Sequence, residues 1–336
     1  MQSKILNLGI VAHADAGKTS LTEQILFKTG AIRALGSVDE GTAVTDAMEI
    51  ERQRGISVRS ASASVLWKSC RLNLIDAPGH ADFLSEVERG LAALDAAVLV
   101  ISAVEGVQAQ TRLLIEAISA AHLPCFIFIN KLDRVGSDTK RVLSEVERCG
   151  VPCLCMSKVW SEGSSQVCSN LIEHSSPDFI ETAVLAMEDE ALFEQFLLGE
   201  NMDIQNGTLI ISLSKKVSSG SIYPVVCGAT KYGLGVEDLL DTVCLLLNEP
   251  KALTDQEGIQ HACARVYKVE HDDILGKAAY VRVFSAEIGS RQSIRITKPG
   301  KPHTYEEKIS RVRLTDGRRL TDSETIPCGC IGAVYG

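Results

Sequence analysis

The chain has 336 residues, 45% of them hydrophobic and 23% charged, with a net charge of −9. That balance fits about two globular domains and excludes a disordered or low-complexity chain. No apolar run approaches the roughly 18 residues of a membrane helix, and Met1-Gln2-Ser3-Lys4 runs straight into a strand-like stretch, so neither a membrane span nor a leader is expected.

The charge is uneven. Residues 1–250 hold 20 Lys+Arg against 32 Asp+Glu, whereas residues 251–336 hold 14 against 11. An acidic body disfavours non-specific binding to free nucleic acid, while a local face of opposite sign stays compatible with it. The eleven cysteines lie mostly in apolar runs, as at Cys125, Cys227 and Cys244. They read as reduced core thiols of a cytoplasmic protein. Cys149, Cys153 and Cys155, and Cys328 with Cys330, lack the C-x-x-C spacing of a zinc site, so no structural zinc is expected.

Along the chain, Ile5–Val11 reads as an apolar strand entering a Gly-containing loop, and Thr19–Thr29 as a helix through Leu21, Ile25 and Leu26. Val58–Leu66 alternates with period two, and Leu72–Ile75 is a short strand ending at Asp76. A helix over Asp82–Leu94, a buried strand over Ala96–Ile101, a helix over Thr111–Ala121 and a buried strand over Cys125–Ile129 follow. Between Asn130 and Gly228 the chain is longer than one helix and one strand require. The Ser-rich Ser161–Ser176 and the acidic, helix-like Phe179–Leu198 mark an insertion at about 151–220. Tyr223–Cys227 is a further strand and Val236–Leu247 a closing helix. Repeated β-then-α units predict an α/β P-loop domain over 1–250, its mostly parallel sheet doubly wound. Beyond Asn248-Glu249-Pro250 the pattern changes. Alternating runs at Ala262–Val269, Ala278–Phe284, Ser293–Ile296, Glu307–Arg313 and Ile331–Tyr335 predict an all-β barrel domain over 258–336.

Four short motifs follow in a fixed order: Ala12-His13-Ala14-Asp15-Ala16-Gly17-Lys18-Thr19, Asp76-Ala77-Pro78-Gly79-His80, Asn130-Lys131-Leu132-Asp133 and Gly228-Ala229-Thr230-Lys231. The first links a strand to a helix, where backbone N–H groups and the helix N-terminus suit a pyrophosphate. Asp15, Ala16, Gly17, Lys18, Thr19 and Ser20 are the candidate phosphate contacts, with Lys18 bridging the β- and γ-phosphates and the Thr19 hydroxyl on Mg²⁺. Ala12 stands where such loops usually begin with glycine. Asp76 suits Mg²⁺ held through water. Gly79 offers an N–H toward the γ-phosphate, and His80 falls beside the expected attacking water. Asp133 can accept two hydrogen bonds from guanine N1–H and the 2-amino group, a pair that adenine does not offer. Asn130 braces that loop, the Lys131 stem lies over the ring plane, and Gly228, Ala229 and Thr230 offer a backbone N–H to the guanine oxygen. Between the first two motifs, Glu51–Ser57 suits a loop that orders with GTP and Mg²⁺, Ser57 adding a hydroxyl for the metal. In this order the motifs imply GTP or GDP with Mg²⁺.

Arg54-Gly55-Ile56-Ser57, Asp76–His80 and Ala12–Thr19 resemble the translational GTPases on the elongation factor G side. More narrowly, Leu35-Gly36-Ser37-Val38-Asp39, Glu51–Ile56 and Glu105-Gly106-Val107-Gln108-Ala109-Gln110-Thr111 resemble tetracycline-resistance ribosomal protection proteins of the Tet(M)/Tet(O) kind. The resemblance covers essentially the whole chain. It implies a cytoplasmic, ribosome-dependent GTPase in which Lys18, Thr19, Ser57, Asp76 and Gly79 handle phosphate and Mg²⁺. It further implies that His80 acts in hydrolysis, that Asn130, Lys131, Asp133 and Ala229 read guanine, and that Asp15 binds a phosphate-linked cation.

Four departures from the family pattern stand out: Ala14 for Val or Ile beside His80 and Ile56, Ser57 for Thr, Ala77 for Thr, and the pair Ala229-Thr230 for Ser-Ala. Length departs further, since such factors continue through additional domains. The expectation is a piece that binds and slowly hydrolyses GTP without protecting ribosomes by itself. Its expected partners are the ribosome and guanine nucleotide, with no membrane and a monomeric state. Two other readings stay open: a housekeeping elongation or release factor, and a nucleotide-dependent binding module with negligible hydrolysis. The second is favoured by Ala14 and Ser57 and disfavoured by His80.

Overall fold

Residues 4–35, 61–76, 90–197, 207–250, 262–272, 274–297, 304–317 and 319–336 are described by the computed structural model. Its central sheet is built from β1 (Lys4–Ala12), β2 (Ala61–Trp67), β3 (Cys70–Asp76), β4 (Ala96–Ser102), β5 (Cys125–Asn130) and β6 (Cys153–Cys155). A hairpin of β7 (Ser157–Trp160) and β8 (Cys168–Leu171) follows, and β9 (Tyr223–Cys227) returns to the sheet. The order is β2-β3-β1-β4-β5-β9-β6. Among the described strands only β2, antiparallel to β3, departs from parallel pairing. The unbroken apolar runs of β4, β5 and β9 have this cause: every residue in them is buried, as expected of parallel strands covered on both faces.

Two layers of helices do the covering. Leu21, Ile25 and Leu26 of helix Lys18–Lys28, Leu239, Leu240 and Val243 of helix Val236–Leu246, and Leu209, Leu213 and Val217 of helix Thr208–Ser218 fill one face. Leu114, Ile115 and Ile118 of helix Ala109–Ala120, with Val142 and Val146 of helix Thr139–Glu147, fill the other. The expected doubly wound α/β layout is therefore present. Four strands of this sheet end at the four motifs: β1 at Ala12, β3 at Asp76, β5 at Asn130 and β9 at Cys227. This is the edge where open α/β sheets bind ligands.

Sequence and structure part company at several elements. The helix expected over Phe179–Leu198 is two helices, Pro177–Met187 and Glu190–Leu197. Glu188 turns into the left-handed region at φ 48°, and the Asp189 carboxylate then accepts the N–H of Leu192 at 3.2 Å, restarting the helix. The Ser-rich stretch contains a strand, β8, and helices Thr139–Glu147 and Thr208–Ser218 add to the elements that the sequence pattern predicts. Asp138 accepts the N–H of Arg141 at 2.9 Å, so the start of the first of these was legible as an N-cap. The helix expected over Asp82–Leu94 lies mostly outside the described residues.

The second part of the chain is antiparallel. β10 (Ala264–Asp272), β11 (Gly276–Val283), β12 (Ile288–Gly289), β13 (Ser293–Thr297), β14 (Thr304–Lys308), β15 (Arg311–Asp316), β16 (Arg319–Ser323), β17 (Thr325–Ile326) and β18 (Ile331–Tyr335) follow in order. Five of them form one sheet, β10-β11-β18-β15-β16, and the rest pair as β12-β17 and β13-β14 ribbons. Val281, Val283, Ile309, Val312 and Ile326 are core residues here. The single strand expected over Glu307–Arg313 is divided between β14 and β15. The chain changes partners at Ile309, whose N–H donates to Gln292 O at 2.9 Å, and Ser310, whose N–H donates to Tyr335 O at 2.7 Å.

Candidate functional site

Gly17 is the N-cap of helix Lys18–Lys28 and stands at φ 99°. An L side chain strains there, and a Cβ would collide with the Asn130 amide nitrogen. The loop before it is tight: Ala16 N–H donates to His13 O at 3.3 Å, and Asp15 also has positive φ, 60°. Lys18 is buried, while Thr19 and Ser20 are half-exposed at the helix start. Ala14 and Asp15 are exposed.

Asn130, 1% exposed, joins this loop to the two base motifs. Its Nδ2 donates to Ala16 O at 2.9 Å, and its Oδ1 accepts the Thr230 N–H at 3.0 Å. Gln24 adds a second tie, its Nε2 donating to Thr230 O at 2.7 Å. Nothing in the motifs signalled Gln24; only its place seven residues after Gly17, on the turn of the helix facing the base loops, explains it. One residue beyond Asn130, Lys131 is left-handed at φ 66° and its Nζ lies 3.2 Å from Glu105 Oε1. Leu132 N–H donates to Gly228 O at 3.3 Å, linking the third motif directly to the fourth. Asp133 is half-buried on the same turn, and among the described residues its carboxylate has no hydrogen-bond or ion-pair partner.

The fourth motif is more closed than its sequence implied. A Cβ on Gly228 would strike Leu234 O and the Phe128 ring. The N–H groups of Gly228, Ala229 and Thr230 donate to Ile129 O at 2.8 Å, Leu234 O at 3.1 Å and Asn130 Oδ1 at 3.0 Å. A guanine oxygen meets these three groups only as a second acceptor.

The first, third and fourth motifs thus converge. For the second, the backbone of Asp76 closes β3 in register with Ile10 of β1, which puts it beside the phosphate loop. Its side chain, and Ser57, Gly79 and His80, lie outside the described residues. The hard oxygen donors expected for Mg²⁺, the Thr19 and Ser57 hydroxyls and the Asp76 carboxylate, are of the type that ion takes. The Gly17 cradle and the buried Lys18 fit a phosphate chain. His13, inside the first motif, is a buried histidine to which the motif assigns no role. His13 Nδ1 lies 3.0 Å from Thr111 Oγ1, its Nε2 has no hydrogen-bond partner among the described residues, and burial holds its imidazole below the ordinary histidine range.

Comparison with known proteins agrees with this geometry. The elongation factor Tu GTP binding domain family matches residues 3–249. The chain is 39% identical over 335 residues to the tetracycline resistance protein TetP of Clostridium perfringens, covering 99% of this chain and 50% of that protein. It is 36% identical over 329 residues to TetO of Campylobacter jejuni, and 37% identical over 338 residues to the oxytetracycline resistance protein of Streptomyces rimosus. The chain spans about half the length of these curated relatives. A crystal structure from Thermus thermophilus superposes with a TM-score of 0.81 at 28% identity, over 99% of this chain and 52% of that one. With the phosphate loop, both base loops and the sheet edge that carries them in place, the chain belongs to the elongation factor Tu GTP-binding domain family.

Proposed function

We propose that this chain is the nucleotide-driven part of a ribosome-associated translation factor of the tetracycline-resistance type. It binds GTP and GDP with Mg²⁺ in the cytoplasm and hydrolyses GTP when a ribosome engages it. Release of the drug is then the work of a longer protein that contains it. The observation that carries the nucleotide part is the Asn130 side chain. Its two hydrogen bonds tie the phosphate loop to the loop ending the fourth motif, so base and phosphates are read by one connected frame. The similarity to resistance proteins along nearly the whole chain supports the narrower part of the reading.

In this reading Lys18 neutralises charge on the β- and γ-phosphates, and Thr19, Ser57 and Asp76 would hold the metal, which when bound would supply further charge neutralisation at the phosphates. Gly79 donates to the γ-phosphate, and His80 orients the attacking water. Asp133 selects guanine, since adenine leaves a partly buried carboxylate unpaired. Calorimetric titration with GTP, GDP and ATP in the presence of Mg²⁺ tests the first part. Guanine-selective binding supports it, and equal affinity for ATP refutes it. For hydrolysis, His80→Ala in a full-length version is expected to spare nucleotide binding and slow ribosome-stimulated turnover. An unchanged rate would place catalysis elsewhere.

A further inference from the structure

The stretch Glu105–Thr111 has no role in the motifs, yet it touches both halves of the site. Hydrogen bonds to Ser102 and Glu145 hold it in place. Ser102 Oγ accepts the N–H groups of Val104 at 3.2 Å and Glu105 at 3.3 Å, and Glu145 Oε2 accepts that of Val107 at 2.8 Å. Gly106 is left-handed at φ 68°, with Glu145 pressed against the place a Cβ would take. Gln108 Nε2 donates to Glu105 O at 2.6 Å, and Gln108 N–H donates to Thr111 Oγ1 at 3.2 Å.

From this base two arms reach out. At one end both carboxylate oxygens of Glu105 face Lys131 Nζ, at 3.2 and 3.4 Å. At the other, Thr111 Oγ1 meets His13 Nδ1 at 3.0 Å, and Gln110 Oε1 accepts the Ala14 N–H at 3.4 Å. The Thr111 oxygen also accepts from Gln108 N–H, so one hydroxyl joins this stretch's own backbone to the His13 ring. The side chain of Lys131 is 11% exposed, so its stem is held and not waving in solvent.

We propose that Glu105–Thr111 clips the base-reading loop to the phosphate loop, with Glu105 as the positioning residue for Lys131. This rests on the reading of Lys131 as a guanine contact. A free lysine stem loses rotamer freedom when it settles over a base, and a stem already anchored by its ammonium loses less. The clip therefore tightens nucleotide binding without touching nucleotide.

The experiment is a double-mutant cycle on the full chain, read by GDP dissociation constant and thermal unfolding. Glu105→Gln keeps the shape and removes the charge. It is expected to weaken GDP binding on the order of tenfold, the effect of freeing one long side chain, and to leave the unfolding temperature unchanged. Glu105→Asp is expected to restore part of the affinity. In a Lys131→Ala background, Glu105→Gln is expected to add nothing. An equal loss in both backgrounds, or wild-type affinity for Glu105→Gln while Lys131→Ala is weak, overturns the clip and spares the guanine reading. Absence of GDP binding by the unchanged chain overturns both.

Discussion

The Arg282 guanidinium on β11 pairs with the Asp95 carboxylate that precedes β4, so a buried charge of the β domain is answered by one of the nucleotide-binding domain. Their side chains are 3% and 4% exposed. Arg282 Nη1 also donates to Ala93 O at 2.9 Å, and its guanidinium carbon sits 4.3 Å from the Phe284 ring centre. On the other side, Asn7 donates to Asp95 Oδ2 through both its backbone N–H and its Nδ2, each at 2.8 Å. Asn73 Nδ2 in turn donates to Asn7 Oδ1 at 2.9 Å. Burial raises the Asp95 carboxyl above its ordinary range, against the pull of Arg282 and Asn7. Desolvation thus takes back much of what the pair gains.

That balance gives the first prediction. Arg282→Leu alone strands a buried carboxylate and is expected to cost about 3–5 kcal/mol of stability. Asp95→Leu with Arg282→Leu is expected to cost markedly less than the sum of the two single changes. Denaturant titration of the two single variants and the double variant measures this, and additive losses would show that the pair is not coupled.

Gly17→Ala tests the phosphate cradle. The left-handed backbone alone disfavours a side chain by about 1–2 kcal/mol, and the added carbon displaces Asn130. Guanine nucleotide affinity is expected to fall below detection by calorimetry, with a lowered unfolding temperature. Retained affinity would mean the loop is far softer than its bonds indicate.

Base selection should move with one atom at Asp133. Asp133→Asn is expected to change the preference from guanosine to xanthosine nucleotides by roughly a hundredfold or more, because the amide donates where xanthine presents a carbonyl. Competition binding with the two triphosphates reads the change directly, and an unaltered preference would remove Asp133 from base recognition.

His13 sets a pH dependence. Burial lowers its pKa from 6.5, Lys131 adds to the effect, and Glu105 and Asp15 oppose it. The unfolded chain therefore takes up a proton that the folded chain resists. The resulting stability is fully present above about 6.5 and is lost as pH falls through that value toward the folded pKa. His174, also lowered by burial, acts with the same sign. Unfolding midpoints between pH 7.5 and 5.5 should thus decline less steeply in His13→Gln than in the unchanged chain, and parallel curves would contradict the assignment.

Much of this was legible from residue order. β1, β5 and β9 showed as apolar runs because both their faces are buried, and each motif lay at the end of such a run. What escaped had physical reasons. The split at Glu188 depends on one left-handed residue, and the β14–β15 break depends on Gln292 and Tyr335, which are distant in sequence. Base-loop N–H groups looked available in Gly228-Ala229-Thr230, since a sequence does not show that Leu234, Ile129 and Asn130 already accept from them. The roles of Glu105 and Thr111 were invisible for a similar reason: a carboxylate and a hydroxyl in a connecting segment acquire meaning only from what the fold brings opposite them.

The residue that follows β15, Gly317, bears on the border of the central sheet. Among the described strands β2 is the outermost of the central sheet, and Ser64 N–H donates to Gly317 O at 2.7 Å. At the opposite border β6 is only three residues long. Open strand borders invite pairing with another chain, and short or covered ones resist it. Gly317 thus acts as a stopper against intermolecular strand addition. A version cut back to residues 1–250 would lose that stopper and is expected to self-associate on concentration, even if its nucleotide pocket forms.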